Sequence, residues 1–203
     1  MPDMPHQDHE ADRLRAAVAD KYRRVALSPE GLFAYPTGAL GARQLGYREP
    51  DLARIPRAVL ERFVGVGNPL GVRPAARGLR VLDIGCGAGL DTFLAAEQVG
   101  ASGKAIGVDL TPEMIAIGRA ANEQANLTQL SFEVGTAEQL PFEDASFDLV
   151  ISNGALNLVV DKDACFRELL RVLEPGGTLS IADLLVVESI PDEVLADMDA
   201  WST

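Results

Sequence analysis

Histidine is nearly missing from this 203-residue chain: the two present, His6 and His9, both lie in its polar N-terminal stretch. That leaves no imidazole further along to serve as a general base, so any proton abstraction would fall to a carboxylate. Cysteine is as scarce. Cys86 and Cys165 stand far apart and lack metal-ligand spacing, which excludes a disulfide framework and a thiolate metal cluster. Cys165 shares an apolar helical stripe with Leu169 and Val172, as a small buried hydrophobe does. No apolar run reaches the roughly 20 residues of a membrane span. Basic residues number 18 against 30 acidic ones, a net charge of −12, so neither nucleic acid nor an anionic membrane has a basic face to meet. What remains is small-molecule chemistry. The start of the chain is polar and acidic, unlike a signal or transit peptide, so a cytoplasmic location is expected. A hydrophobic content of 47% with 24% charged residues suits one α/β domain with a small appendage.

The most informative stretch is Leu79 to Phe93, LRVLDIGCGAGLDTF. Leu79, Val81, Leu82 and Ile84 make an apolar run of strand length, and Gly85, Gly87 and Gly89 then let the backbone turn sharply close to a ligand. A following helix would offer unpaired N–H groups and the positive end of its dipole. A dinucleotide fold wants G-x-G-x-x-G, but Leu90 occupies the sixth position, giving G-x-G-x-G. Asp83, just before the turn, would repel a pyrophosphate and suits a ligand carrying an ammonium group.

Along the chain, Met1 to about His9 has no periodicity and is expected to be a disordered tail. Leu14, Val18, Tyr22 and Val25 place a helix over Glu10 to Ala26, with Tyr22 as packing first and ligand contact second. Ser28 to Pro50, rich in Gly and Pro and holding Phe33, Tyr35 and Tyr47, is either a lid or a surface loop whose aromatic residues are pinned to the core. A short helix is expected from Pro56 to Phe63, then a loop. Residues 10–76 thus form an N-terminal helix and lid segment, and 77–203 a nucleotide-binding-type domain. Lys104 to Asp109 is the second strand, and Asp109 ends it at the place where an acid accepts hydrogen bonds from ribose hydroxyls. Thr111 and Pro112 should cap a helix running to about Ala125 with Met114 facing inward. Further strands are expected at Leu130–Val134, Phe147–Ser152 and Thr178–Leu184, a helix at Asp161–Leu173, a turn at Glu174–Gly177 and a helix at Pro191–Trp201.

These motifs resemble the class I S-adenosylmethionine-dependent methyltransferases. The first motif has their form (V/L)LD-x-G-x-G-x-G, and GTAEQLPFEDASFDLV at Gly135–Val150 is similar to the G-D-A-E-x-L-P-F-x-D-x-S-F-D-x-V of the group that includes quinone-biosynthesis enzymes. The resemblance implies a Rossmann-like, doubly wound α/β sheet and S-adenosyl-L-methionine as cofactor, leaving as S-adenosyl-L-homocysteine. It implies cofactor contacts from Asp83, Gly85, Cys86, Gly87, Asp109, Leu110, Met114, Thr136, Ala137, Glu138 and Asn153. Thr136 departs from the family aspartate at the adenine edge, and Glu138 is a substitute acceptor. The family fold has seven strands. Five can be counted here, so the C-terminal part is expected to be incomplete, with an open strand edge that favours a homodimer.

A closer resemblance is to the arsenite methyltransferases, through GVGNP (Gly65–Pro69), GAGLDTF (Gly87–Phe93), VDLTPEM (Val108–Met114) and SNGALNL (Ser152–Leu158). Val66 and Gly154 stand where that family places arsenic-binding cysteines, so arsenite methylation should be absent or crippled. Three functions follow: a methyltransferase with an unidentified small-molecule acceptor, a non-catalytic cofactor-binding module acting through a partner, and a nicotinamide-dependent oxidoreductase, which Leu90 and Asp83 oppose.

Overall fold

The computed structural model describes residues 4–185, with side chains from residue 13 onward. Five parallel strands form one sheet in the order β3-β2-β1-β4-β5. They are β1 (Arg80–Ile84), β2 (Lys104–Asp109), β3 (Leu130–Val134), β4 (Phe147–Asn153) and β5 (Leu173–Ala182). The order reverses beside β1: β2 and β3 lie to one side, β4 and β5 to the other. A crevice therefore opens beyond the carboxyl ends of β1 and β4, where doubly wound sheets bind ligands.

Residues 81–84 of β1 are buried, as a central parallel strand covered on both faces requires. Alternate residues sort into two cores. Val81, Leu149 and Ile151 face the layer containing α6 (Leu90–Val99) and α7 (Pro112–Ala125). Leu82, Ile84, Ile106, Val108 and Val150 face the layer containing α8 (Lys162–Val172). Asp161 caps α8 by accepting from the Ala164 N–H at 2.8 Å, and Cys165, Leu169 and Val172 point inward as their spacing demands. At the β4–β5 pair, Leu173 opposes Phe147 and pairing resumes at Thr178, so the expected turn at 174–177 is a bulge carried within β5.

The N-terminal third departs most from expectation. Helix α1 spans Met4–Leu27, starting earlier than Glu10, since polar residues and a first-turn Pro5 are compatible with a helix start. The Gly- and Pro-rich segment folds into α2 (Gly38–Gln44) and α3 (Glu49–Leu52). The next stretch holds α4 (Arg57–Leu60), shorter than the helix expected at Pro56–Phe63, and α5 (Pro69–Val72), a helical turn where a loop was expected. Val25, Ala42, Tyr47, Leu52 and Val59 join the same core as Phe93 and Ala95 of α6. The helix expected at Pro191–Trp201 lies outside the described residues.

Candidate functional site

The glycine turn joins β1 to α6. Gly85 and Cys86 donate their N–H groups to the Val108 carbonyl at 2.8 and 3.1 Å, which ties the turn to β2. Gly85, Gly87 and Gly89 all have positive φ, but for different reasons. A Cβ on Gly85 would strike Ala155, and one on Gly89 would strike the Phe132 ring. At Gly87, with φ +54°, a Cβ would meet no protein atom within 4 Å. Its bareness serves the open space above the turn rather than packing.

Asp109 fixes that space from the tip of β2. Its carboxylate accepts from the Gly87 N–H and from the Thr111 N–H, both at 2.8 Å. Thr111 occupies the N-cap of α7, yet its side chain makes no capping bond, so the expected cap is not made; its own N–H goes to Asp109 instead. Burial raises the Asp109 carboxyl above its ordinary range, offset by these N–H donors. A carboxylate has about four acceptor sites, and these two N–H groups with the Thr111 side chain do not fill them, leaving capacity for a hydroxyl donor.

The turn opens onto one cleft. Asp83, Gly85, Cys86, Gly87, Asp109, Leu110, Thr136, Ala137, Glu138 and Asn153 all line it. Met114 does not: it is fully buried in the core beneath α7, where the inward face of the helix puts it. The Cys86 thiol lies beside Asp109 and Asp83, and burial together with those acids pushes its ionisation well up, so it is held as the neutral thiol.

Two further carboxyls stand at the cleft. Asp83 is 1% exposed and accepts from the Thr92 hydroxyl at 2.6 Å. Asp91, in the first turn of α6, is 5% exposed and accepts from the Tyr47 hydroxyl at 2.6 Å and the Asn153 amide at 3.0 Å. Burial lifts Asp91 to about 6, and burial plus the Asp91 charge lifts Asp83 as well. None of the hydrogen-bond partners of Asp83, Asp91 and Asp109 is basic, so the site has acid to spare for a cationic ligand.

Asn153 also grips the segment opposite. Its Oδ1 accepts from the Val66 and Gly67 N–H groups at 2.9 and 3.0 Å, and its Nδ2 donates to the Gly67 carbonyl at 2.8 Å. This brings Val66 against the next residue of β4's tip: a Cβ on Gly154 would lie 3.3 Å from a Val66 methyl. The two positions read in the sequence as cysteine replacements therefore face one another, with methyls and a bare backbone where thiols would converge.

Of the two readings of Ser28–Pro50, the structure matches the segment with pinned aromatic residues rather than the lid. No residue of 28–50 lines the cleft. Tyr47 is buried and stacks edge-on against Phe63 with centroids 5.4 Å apart, while Phe33 and Tyr35 pack on each other at 5.2 Å. Helix α1 supplies the wall instead, through Arg15, Val18 and Tyr22 on one face, joined by Val59, Phe63 and Val64. Arg15 reaches Glu138 at 3.4 Å. Burial raises the Tyr22 hydroxyl, with Tyr35, Asp109 and Asp183 adding to it. Asp91 and Arg15 were missed in the sequence, as was the bonding of Tyr47 to Asp91 and Asn153. The signal for Asp91 was its place one turn after the glycines; Tyr47 and Arg15 come from distant segments and left none.

A family model described as "Methyltransferase domain" matches residues 75–203. An arsenite methyltransferase of Halobacterium salinarum is 35% identical over 207 residues, covering 95% of this chain and 53% of that protein. A demethylmenaquinone methyltransferase of Listeria welshimeri is 37% identical over 107 residues, covering 53% of this chain and 45% of its own length. Among solved structures, an arsenic(III) S-adenosylmethionine methyltransferase from Chlamydomonas reinhardtii superposes with a TM-score of 0.66 at 36% identity, covering 83% of this chain and 58% of that one. The chain spans about half the length of the curated relatives it matches.

Proposed function

Since the chain belongs to the methyltransferase-domain family, of the class I S-adenosylmethionine-dependent kind, we propose that it carries a methyl group from S-adenosylmethionine to a small-molecule acceptor. One observation carries the reading: an open glycine turn whose Gly87 N–H is held by Asp109, with Asp83 and Asp91 buried beside it and no basic partner among them. Room above Gly87 fits an adenosyl group, and uncompensated acid fits an ammonium and a sulfonium. When bound, the cofactor supplies an electrophilic methyl group for in-line displacement.

The chain's own work is positioning. Asp109 has free acceptor capacity for ribose hydroxyls, Leu110 and Ala137 offer apolar walls, and Glu138 and Thr136 offer acceptors for an adenine amino group. Arg15 and Tyr22 on α1 cover the cleft and reduce water around the reacting atoms. Val59, Phe63, Val64, Leu158 and Val159 give it an apolar wall that suits an acceptor with hydrophobic bulk. Val66 and Gly154 remove the thiolates that arsenic(III) would need, which supports an acceptor other than arsenite. The same reading places residues 77–203 as the cofactor-binding unit, takes the protein as cytoplasmic and takes association through the β5 edge as a homodimer.

Calorimetry with S-adenosylhomocysteine and with NAD tests the cofactor, and turnover of methyl-labelled S-adenosylmethionine against a metabolite panel tests the activity. Binding of S-adenosylhomocysteine but not NAD is expected. Binding without turnover of any acceptor would favour a non-catalytic module, and NAD binding alone would overturn the reading.

A further inference from the structure

Tyr47 does not line the cleft, yet its hydroxyl sits at the centre of a buried polar network that does. It donates to Asp91 at 2.6 Å, accepts from the Asn153 amide at 3.0 Å and lies 3.2 Å from the Gly67 carbonyl. The hydroxyl has one proton, and the short contact to a carboxylate outcompetes the longer one to a carbonyl. Asn153 has one end on Asp91 and Tyr47 and the other on the N–H groups of Val66 and Gly67. A Cβ at Gly65 would collide with the Asn153 amide and the Phe63 ring, so the bare Gly65 backbone lies directly against Asn153.

We propose that Tyr47, Asp91 and Asn153 form a latch that fixes the Gly65–Gly67 segment when a ligand ammonium occupies the cleft, and that Tyr47 is a positioning residue for the wall facing the acceptor. The inference rests on the cofactor reading above. Asp91 lines the cleft and uses two acceptor sites on Tyr47 and Asn153. An ammonium beside Asp91 and Asp83 holds the Asp91 carboxylate ionised. Hydrogen bonds to an ionised acceptor are roughly twice as strong as those to a neutral one. Tyr47 and Asn153 are then gripped more firmly, and through Asn153 so are the amides of Val66 and Gly67. The wall that carries Val66 against Gly154 is thereby set after the cofactor arrives, giving an ordered sequence of cofactor first and acceptor second.

Amide hydrogen exchange reads the latch directly, because the Val66 and Gly67 N–H groups are its last links. In the wild-type chain at about pH 5.5, where an Asp91 raised to about 6 is largely protonated until an ammonium arrives, S-adenosylhomocysteine should slow exchange of these two amides by about tenfold. 5′-Methylthioadenosine, which keeps the adenosyl part and lacks the ammonium, should protect the Thr111 amide but leave Val66 and Gly67 unchanged. Tyr47→Phe keeps the ring against Phe63. It should still bind S-adenosylhomocysteine within about threefold by calorimetry, and should lose the added protection at Val66 and Gly67. Unaltered exchange across β1 establishes that this variant is folded. Binding of S-adenosylhomocysteine to the wild-type chain without protection of Val66 and Gly67 would overturn the latch alone, as would full protection in Tyr47→Phe. Failure of S-adenosylhomocysteine to bind the wild-type chain would remove the cofactor reading and the latch with it.

Discussion

Replacing Asp109 by Asn changes one atom of a side chain that does two tasks, and the structure sets the size of both effects. The carboxylate receives the Gly87 and Thr111 N–H groups, each at 2.8 Å. An amide can offer its oxygen to only one of them, so its NH2 group then faces the other, donor against donor. A buried backbone N–H left without an acceptor costs about 1–3 kcal/mol, which is the expected loss of folding stability. The second effect falls on the ligand. A ribose hydroxyl that would donate to a carboxylate meets an amide instead, and the Gly87 N–H no longer holds the turn open. Together these should weaken S-adenosylhomocysteine binding by roughly 1–3 kcal/mol, or about fivefold to 150-fold in Kd. Isothermal titration calorimetry and urea unfolding on the same preparation separate the two. Affinity within twofold of wild type, with the unfolding midpoint unmoved, would refute the assignment of Asp109 as both brace and ligand acceptor.

The same measurements check the neighbouring groups. Gly87→Ala places a Cβ in the space above the turn at a left-handed φ, so S-adenosylhomocysteine binding should fall at least about tenfold for roughly 1–2 kcal/mol of stability. Equal binding would show that the ligand passes elsewhere. The Asp91 carboxyl is raised to about 6 by burial, above its unfolded value. For the free protein this group's contribution is therefore fully present below the unfolded value and is lost as pH rises through about 6. For an ammonium-bearing ligand the sign reverses. Affinity for S-adenosylhomocysteine should drop about tenfold between about pH 7.5 and pH 5 for a single proton, and Asp91→Asn should flatten the profile. Arsenite supplied with excess thiol and S-adenosylmethionine should give no methylated arsenic by chromatography with elemental detection, because Val66 and Gly154 offer no thiolate; steady product formation would contradict that account.

The parts of the fold that were legible in the sequence are those with local signatures. The apolar run before Gly85, the cap at Asp161 and the stripe of Cys165, Leu169 and Val172 each announce their element within a few residues. Ten of the eleven expected cofactor residues line one cleft because they sit at strand ends, and a parallel sheet gathers its carboxyl ends at one edge. Met114 lies outside the cleft lining because its inward helical position sets it in the core. The N-terminal third was opaque for a different reason. Glycine and proline between Ser28 and Pro50 look like a hinge, but Tyr47 is held by Asp91, Asn153 and the Phe63 ring, none of them near it in sequence. Long-range polar contacts leave no periodicity to read.

Helix α1 and Tyr47 belong to the first quarter of the chain, yet they wall and brace a pocket whose floor is built from β1, β2 and β4. Excising 77–185 would therefore strip α6 of its outer cover, baring Phe93 and Ala95 to water, and would leave a pocket open on one side. The stretch with the most recognisable motifs is not the smallest piece that can hold a ligand. During synthesis the early helices must wait, unpartnered, until the sheet emerges to receive them.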